Sequence, residues 1–525
     1  MRAVLLILAL LLSIPALAQP SPQSSLLTPL GSPSFDEIRR GVEALALSGD
    51  PRAAPVLDAL QAGRLLVQPG GALFVREASG ALVSAETGVP AEASDARPVR
   101  VNNGVRRAVD AAMGALRLFA PEPAVRADAA EAVFKSRDAA ALPALDRAIA
   151  QERDAGVRLA MQQARAAAVL ATADASETGK LGAIATLRNR GDLDARALLA
   201  SLSDGSPAVT AAAADAVKGI DWSLRLWGLA QGAFYGLSLG SVLLLAATGL
   251  AITFGVMGVI NMAHGEMVMI GAYVTFMVQE LIRAHAPGLF GASLFIAVPL
   301  AFIVSGAVGM AIERGLIRFL YGRPLETLLA TFGLSLVLQQ AIRSIFGPTN
   351  REVGTPAWMS GAGRVGQLTL TYNRVAIIVF AAAVLFGLMA VLRFTPLGLR
   401  MRAVTQNRRM AAAMGIRTGS VDALTFGLGS GVAGMAGVAL SQIDNVSPNL
   451  GQGYIIDSFM VVVFGGVGNL WGTALGALTL GVVNKFLEPV AGAVLGKIVV
   501  LVLLILFIQR RPRGMFPLKG RAAET

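Results

Sequence analysis

From Trp222 onward, apolar residues come in runs long enough to cross a bilayer, separated by short polar breaks. The runs lie near Leu226–Phe254, Gly265–Leu281, Leu289–Ala311, Leu325–Ile345, Val375–Leu392, Val421–Leu440, Ile455–Leu487 and Val494–Ile508. A helix needs about 20 apolar residues to cross the hydrocarbon. Ile455–Leu487 is longer than that and is broken at "GGVGN". The pattern therefore predicts eight or nine membrane segments over residues 222–512, followed by a basic tail, 513–525.

The first part of the chain has a different rhythm. Residues 19–221 contain no 18-residue apolar run, are rich in alanine and carry most of the acidic residues. Val125, Ala129, Ala132 and Val133 share one helical face, as do Val157, Ala160, Met161, Ala164 and Ala168. "PEPAVRADAAEAVF", "RDAGVRLAMQQARAAAVL" and "GSPAVTAAAADAV" each set a turn ahead of an amphipathic helix, the arrangement of HEAT-type helical pairs. Their spacing is irregular, so a plain helical bundle stands beside that reading. Arg64–Ala85, with short apolar runs parted by "PGG" and "ASG", predicts a small β-meander. No grouping in this half looks catalytic, which leaves a docking or spacer role. The fold class is thus all-α, a polytopic membrane helical bundle preceded by a mostly helical domain that contains the meander.

Residues 1–18 read as a secretory signal. Arg2 gives the positive start, Ala3–Leu12 a short apolar core and Ala16–Ala18 a small-residue cleavage site. An uncleaved anchor is the alternative. Either way, the residues after Ala18 are placed outside the cytoplasmic membrane. Charge provides a second, independent clue. "RFTPLGLRMRAVTQNRRMAAAMGIR" holds six arginines and no acid, the end of the chain four arginines and a lysine, and "ERGLIRFLYGRP" three arginines. By the positive-inside rule all three are cytoplasmic. Counting three spans back from Glu313 then puts Trp222 outside, so the expected topology is a multi-pass protein of a bacterial inner membrane with a periplasmic N-terminal domain and a cytoplasmic C-terminus.

Composition narrows the chemistry. The net charge of +11 is carried by clusters flanking apolar segments without aromatic interleaving, so nucleic acid is not an expected partner. There is no cysteine, which excludes disulfides, thiol catalysis and Cys-based metal sites. With two histidines in the chain, His264 and His285, no metal site is expected, nor any other cofactor. "GAVLGK", Gly492–Lys497, has three residues between its glycines rather than four and Ile498 where a P-loop requires Ser or Thr, so it is no nucleotide site.

One polar stretch falls inside the membrane pattern. "FGVMGVINMAHGEMVMIGAY" carries Asn261, His264 and Glu266 among Gly255, Gly258 and Gly265. An ionised acid at the bilayer centre costs roughly 2.5–3.5 kcal/mol or more, and broken helices at that depth survive only beside protein or a water-filled cavity, often as substrate sites. Asn261 is expected to cap the helix after it, with Glu266 in its first turns, near the positive dipole end. The alternative is a capped turn near the cytoplasmic face. "FGGVGNLWG", with Gly465, Gly466 and Gly468, repeats the Phe-Gly…Gly…Asn…Gly order and is a second candidate break. In the arginine-rich loop, Arg408, Arg409, Met410, Ala411, Ala412, Ala413 and Met414 form helix, Gly415 ends it, and Met410, Ala413 and Met414 share a face.

Residues from about Gly228 to Pro517 resemble the permease subunits of the branched-chain amino acid and urea ABC importers. The pieces that carry the resemblance are "FGVMGVINMAHGEMVMIGAYV", "ERGLIRFLYGRPLETLLATFGLSLVLQQAIRSIFGP", "TPLGLRMRAVTQNRRMAAAMGI", "GLGSGVAGMAGVAL" and "FMVVVFGGVGNLWGTALGALTLG". The resemblance implies that Ala411–Gly415 lies in the loop that contacts the ATPases, although Met410 stands where many permeases begin this motif with an acid. It also implies a second homologous permease, two cytoplasmic ATPases, a periplasmic substrate-binding protein, and no ATP hydrolysis on this chain. A signal and an exported region of this size are features of the urea-type first permease subunit, so urea or a short amide is the first expected substrate and a branched-chain amino acid the alternative. Urea is neutral and polar, and its path would need amide-matching groups, for which Asn261, Ser241, Thr248 and Gln339 are candidates. An ion-coupled secondary transporter and a membrane-anchored adaptor are the rivals. The first would need more intramembrane carboxylates, the second far fewer spans.

Overall fold

Asn102, Asp154, Ser176 and Asp192 each precede a run of helix formers, and each accepts a hydrogen bond from a backbone N–H of the adjoining first turn. These caps satisfy donors that a helix leaves open and so set where four of the N-terminal helices begin. In the computed structural model, which describes residues 24–516 except 49, 51, 78–79, 93–94 and 203–205, the chain divides into two units, 1–224 and 225–525. The signal stretch, 1–18, and the tail beyond Phe516 lie outside the described residues.

The first unit contains helices α1 (Phe35–Ser48) and α2 (Ala53–Gln61), strands β1 (Leu65–Val67), β2 (Leu73–Arg76), β3 (Leu82–Ser84) and β4 (Arg97–Pro98), then helices α3 (Asn103–Arg117), α4 (Pro123–Ser136), α5 (Leu142–Gln151), α6 (Ala155–Ala171), α7 (Glu177–Arg190) and α8 (Leu193–Ala200). The β-meander lies where the apolar runs predict it. The sheet is antiparallel in the order β3-β2-β1-β4, so β4 adds an edge that the sequence pattern did not indicate. One apolar core extends from Leu30 through Leu57, Leu145 and Met161 to Ile220. The face predicted for α6 is the buried one. That of α4 is rotated: Ala132 is exposed, and Ala129, Ala130, Val133 and Phe134 turn inward. Alanine is small and indifferent enough that an alanine-rich helix leaves its rotation to whatever packs against it. Glu152, almost fully enclosed, pairs with Arg126 at 2.6 Å and also accepts the N–H groups of Arg153 and Asp154. The Arg126 guanidinium holds its carboxyl far below the usual range, at about 2.

The second unit begins at Arg225, inside α9 (Pro207–Met257). Then come α10 (His264–His285), α11 (Ser293–Gly315), α12 (Pro324–Phe346), the hairpin β5 (Ala362–Val365) and β6 (Leu368–Thr371), α13 (Tyr372–Phe394), α14 (Pro396–Gln406), α15 (Arg408–Ala413), α16 (Thr418–Leu440), α17 (Leu450–Gly465) and α18 (Leu470–Arg510). Among the described residues seven helices are long and apolar enough to cross a membrane, the 41-residue α18 counted as one of them. That helix is two, joined across Gly492 at φ 76°. The chain after it returns to its start, where Met515 and Phe516 N–H groups bond the carbonyls of Phe464 and Gly465, so the segments number eight, within the eight or nine expected. Helix α17, the candidate ninth, has only 16 residues, about 24 Å at 1.5 Å per residue. Ile455–Leu487 is thus divided between two helices, with the break at "GGVGN".

Helices α10 and α16 are buried along most of their length, whereas α12 and α13 bury one face. Glycine makes the central contact possible. A Cβ on Gly271 would stand 2.0 Å from the Gly434 carbonyl oxygen, and one on Gly437 2.0 Å from that of Val268. Where lipid tails are as apolar as leucine, such backbone approach is a main source of helix association.

Candidate functional site

The chain leaves α9 at Met257, passes Gly258 at φ 68°, a left-handed conformation that suits glycine, and re-enters helix at His264. Asn261 does not cap α10, contrary to the expectation from sequence. Its Oδ1 accepts the Ala263 N–H at 3.0 Å, and Ala263 is the cap residue, without a side-chain bond. The oxygen closes a turn on the N–H two residues on, ahead of the helix, instead of reaching the N–H groups of its first turn. His264 donates from Nε2 to the Ala246 carbonyl at 2.9 Å, tying α10 to α9.

Glu266 lies in the first turn of α10 and is 1% exposed. Its Oε1 accepts Ser335 Oγ and Gln339 Nε2, both at 2.8 Å. Met262 N–H donates to Thr331 Oγ1 at 3.1 Å. All three partners lie on α12, whose buried residues are Thr327, Thr331, Ser335 and Gln339. Leu325, Leu329, Phe332, Leu336 and Val337 are exposed. The helix is therefore inverted relative to one from a soluble protein, polar toward the bundle and apolar outward, as expected where lipid is outside and a polar path inside. Glu266 Oε2, Asn261 Nδ2 and His264 Nδ1 are buried without a partner.

The structure thus brings Glu266 and Gln339 together and sets Asn261 on the same seam through Met262 and Thr331. It does not bring Ser241 or Thr248 to them. Those hydroxyls donate to Leu237 and Leu244 within α9. Ser335 and Thr331 were not among the sequence candidates. The signal was present in "TLLATFGLSLVLQ", where Thr327, Thr331, Ser335 and Gln339 recur every fourth residue.

The second glycine-rich stretch is also a break. Gly466 and Gly468 have φ of 105° and 80°, and Asn469 caps α18 through Gly472 N–H. This second break packs against the last turns of α9, since a Cβ on Gly255 would lie 2.6 Å from Gly468 Cα. Gly255, Gly265 and Gly465 are in helices rather than in the breaks and serve close packing, Gly265 against Gly451 and Gly465 against Gly472. "GAVLGK" forms the kink of α18, where Lys497 pairs with Asp457 at 2.9 Å. Among the described residues no group of three His, Asp or Glu is placed to hold a metal.

The arginine-rich loop folds into α14 and the six-residue α15. Asn407 Oδ1 caps α15 through Met410 N–H. Gly415, at φ 84°, donates to Ala412 and Ile416 to Ala411, closing the helix end with a Schellman pair. The helix ends at Ala413, one residue earlier than predicted. Ala411 faces inward, while Arg409, Met410, Ala412, Ala413, Met414 and Gly415 are exposed. Arg408 is paired with the fully buried Asp422 and lies 4.8 Å over the Tyr321 ring. Tyr321 in turn donates to Glu313 at 3.1 Å.

Residues 232–508 match the family described as the branched-chain amino acid transport system permease component. The chain belongs to that permease family. It is 32% identical over 287 residues to the high-affinity branched-chain amino acid transport system permease protein BraD of Pseudomonas aeruginosa, covering 53% of this chain and 93% of the relative. The permease proteins LivH of Salmonella typhimurium and Escherichia coli K12 are 32% and 31% identical, each over 54% of this chain and 94% of the relative. No solved structure shows a significant match. The protein is an ABC-type permease and spans the membrane several times. A relative matched over nine-tenths of its length leaves little to correspond to the other half of this permease.

Proposed function

We propose that this permease forms one half of the pathway of an ATP-driven importer for branched-chain amino acids. The observation that carries the reading is the extent of the match, nearly the whole length of relatives named for branched-chain amino acid transport. The buried carboxylate of Glu266 on a polar seam supports a charged or zwitterionic cargo more than a neutral amide. The urea reading rests on one feature, the helical unit ahead of the membrane half, which those relatives lack room for. A second homologous permease, two ATPases and a binding protein complete the assembly.

In this reading the exposed hook of Arg409, Met410 and Met414 is cytoplasmic and receives an ATPase. The tail supports the same orientation. Met515 and Phe516 N–H groups bond the carbonyls of Phe464 and Gly465, so the basic end of the chain lies at the Gly466–Asn469 break. The helical unit before Arg225 is then periplasmic, a docking place for the binding protein, with HEAT-type pairing as its proposed organisation. Labelled leucine and labelled urea, offered to cells with and without the chain, test the substrate. Leucine uptake that depends on the chain is the expected result, and chain-dependent uptake of urea alone overturns it.

A further inference from the structure

Two polar side chains, Asn261 in the Gly258–His264 break and Glu266 in the first turn of α10, are buried, close in sequence and half used. Glu266 has one oxygen with two donors and one with none. Asn261 has its oxygen bound to Ala263 N–H and its Nδ2 bound to nothing. Because the backbone N–H needs an acceptor, the amide orientation is set by that bond, and the donor end is the free one. The residues are 1% and 2% exposed. They are linked through Ala263, whose N–H goes to Asn261 and whose carbonyl accepts Glu266 N–H at 3.1 Å. Glu266 forms no ion pair among the described residues, and the Arg343 charge acts on it without direct contact. A carboxylate left so is costly, and a cation arriving at its bare oxygen relieves the cost.

We propose that Glu266 Oε2 and Asn261 Nδ2 form a subsite for an amino acid in transit, the carboxylate taking the ammonium and the carboxamide the substrate carboxylate. One free acceptor that favours a cation and one free donor match the two ends of a zwitterion, and urea has no cationic end. Ser335 and Gln339 of α12 bond Glu266, and Thr331 bonds the Met262 N–H beside Asn261, so α12 lies over this stretch through hydrogen bonds. The inference rests on the amino acid reading and gives it a binding chemistry.

The test is leucine uptake by the full chain with its partner subunits, in cells lacking other leucine importers. Glu266→Gln keeps an oxygen for Ser335 and Gln339, removes the charge and turns the free acceptor into an amide donor. A purely structural role predicts no change. The subsite predicts that the uptake rate at saturating leucine falls about tenfold or more, with half-saturation unmoved because the binding protein makes first capture. Glu266→Asp should recover part of the rate. Uptake by Glu266→Gln within about twofold of wild type overturns the subsite. Should that variant fail to reach the membrane, Asn261→Asp decides by the same criteria, since it keeps Oδ1 and loses the donor. A wild-type chain that takes up no leucine removes the amino acid reading itself and the subsite with it. An unaffected Glu266→Gln beside an active wild type removes the subsite alone.

Discussion

Gly437 and Gly387 are both helical glycines of the membrane half, yet they face opposite demands. A Cβ on Gly437 would collide with the Val268 backbone, whereas one on Gly387 would meet nothing within 4 Å. Gly437→Leu is therefore expected to destabilise the α10–α16 contact by about 1–3 kcal/mol or more, and Gly387→Leu to be neutral. Thermal unfolding of the purified variants in detergent measures the difference, and equal midpoints would contradict the packing described. At this scale the sequence singled out Glu266 and Gln339 as polar residues of the membrane half but could not pair them, because their separation of 73 positions is closed only by tertiary packing. It also assigned Asn261 to a cap. The residue type suits either a cap or a turn, and the choice depends on where the helix starts, which the Gly258 break and the Thr331 bond decide.

At the scale of elements, long apolar helices and a capped hook were legible because both have local causes. A spanning length is a count of residues, and the Asn407 and Gly415 ends of α15 are backbone chemistry within a few positions. The hook's orientation was less legible. Ala411 turns in, and Met410 and Met414 remain 59% and 77% exposed. If these two methionines are the surface an ATPase grips, Met410→Asp together with Met414→Asp should abolish copurification of the ATPase while leaving the permease in the membrane. Retained copurification would show that the hook is not the contact. The number of membrane segments was legible to within one, since the runs on either side of Gly492 are the two helices of α18, and what a run of apolar residues did not record is that α17 is cut to 16 residues.

For the whole molecule, the division at Leu224/Arg225 separates a helical unit with its own apolar core from the permease region. A permease whose first unit serves docking should keep part of its transport when residues 19–221 are deleted behind the signal stretch. An adaptor should lose all function. Chain-dependent leucine uptake by the truncated protein is the measurement, and its complete absence despite normal membrane levels would favour the adaptor. What the sequence determined alone was everything written in local composition and spacing: a membrane half, its breaks at glycine, its basic loops and the motifs of its family. What tertiary structure decided was which polar groups meet. Glu266 lies on α10, Ser335 and Gln339 on α12 and Asn261 in the turn before α10, and only the packing of these elements brings them together around one buried carboxyl.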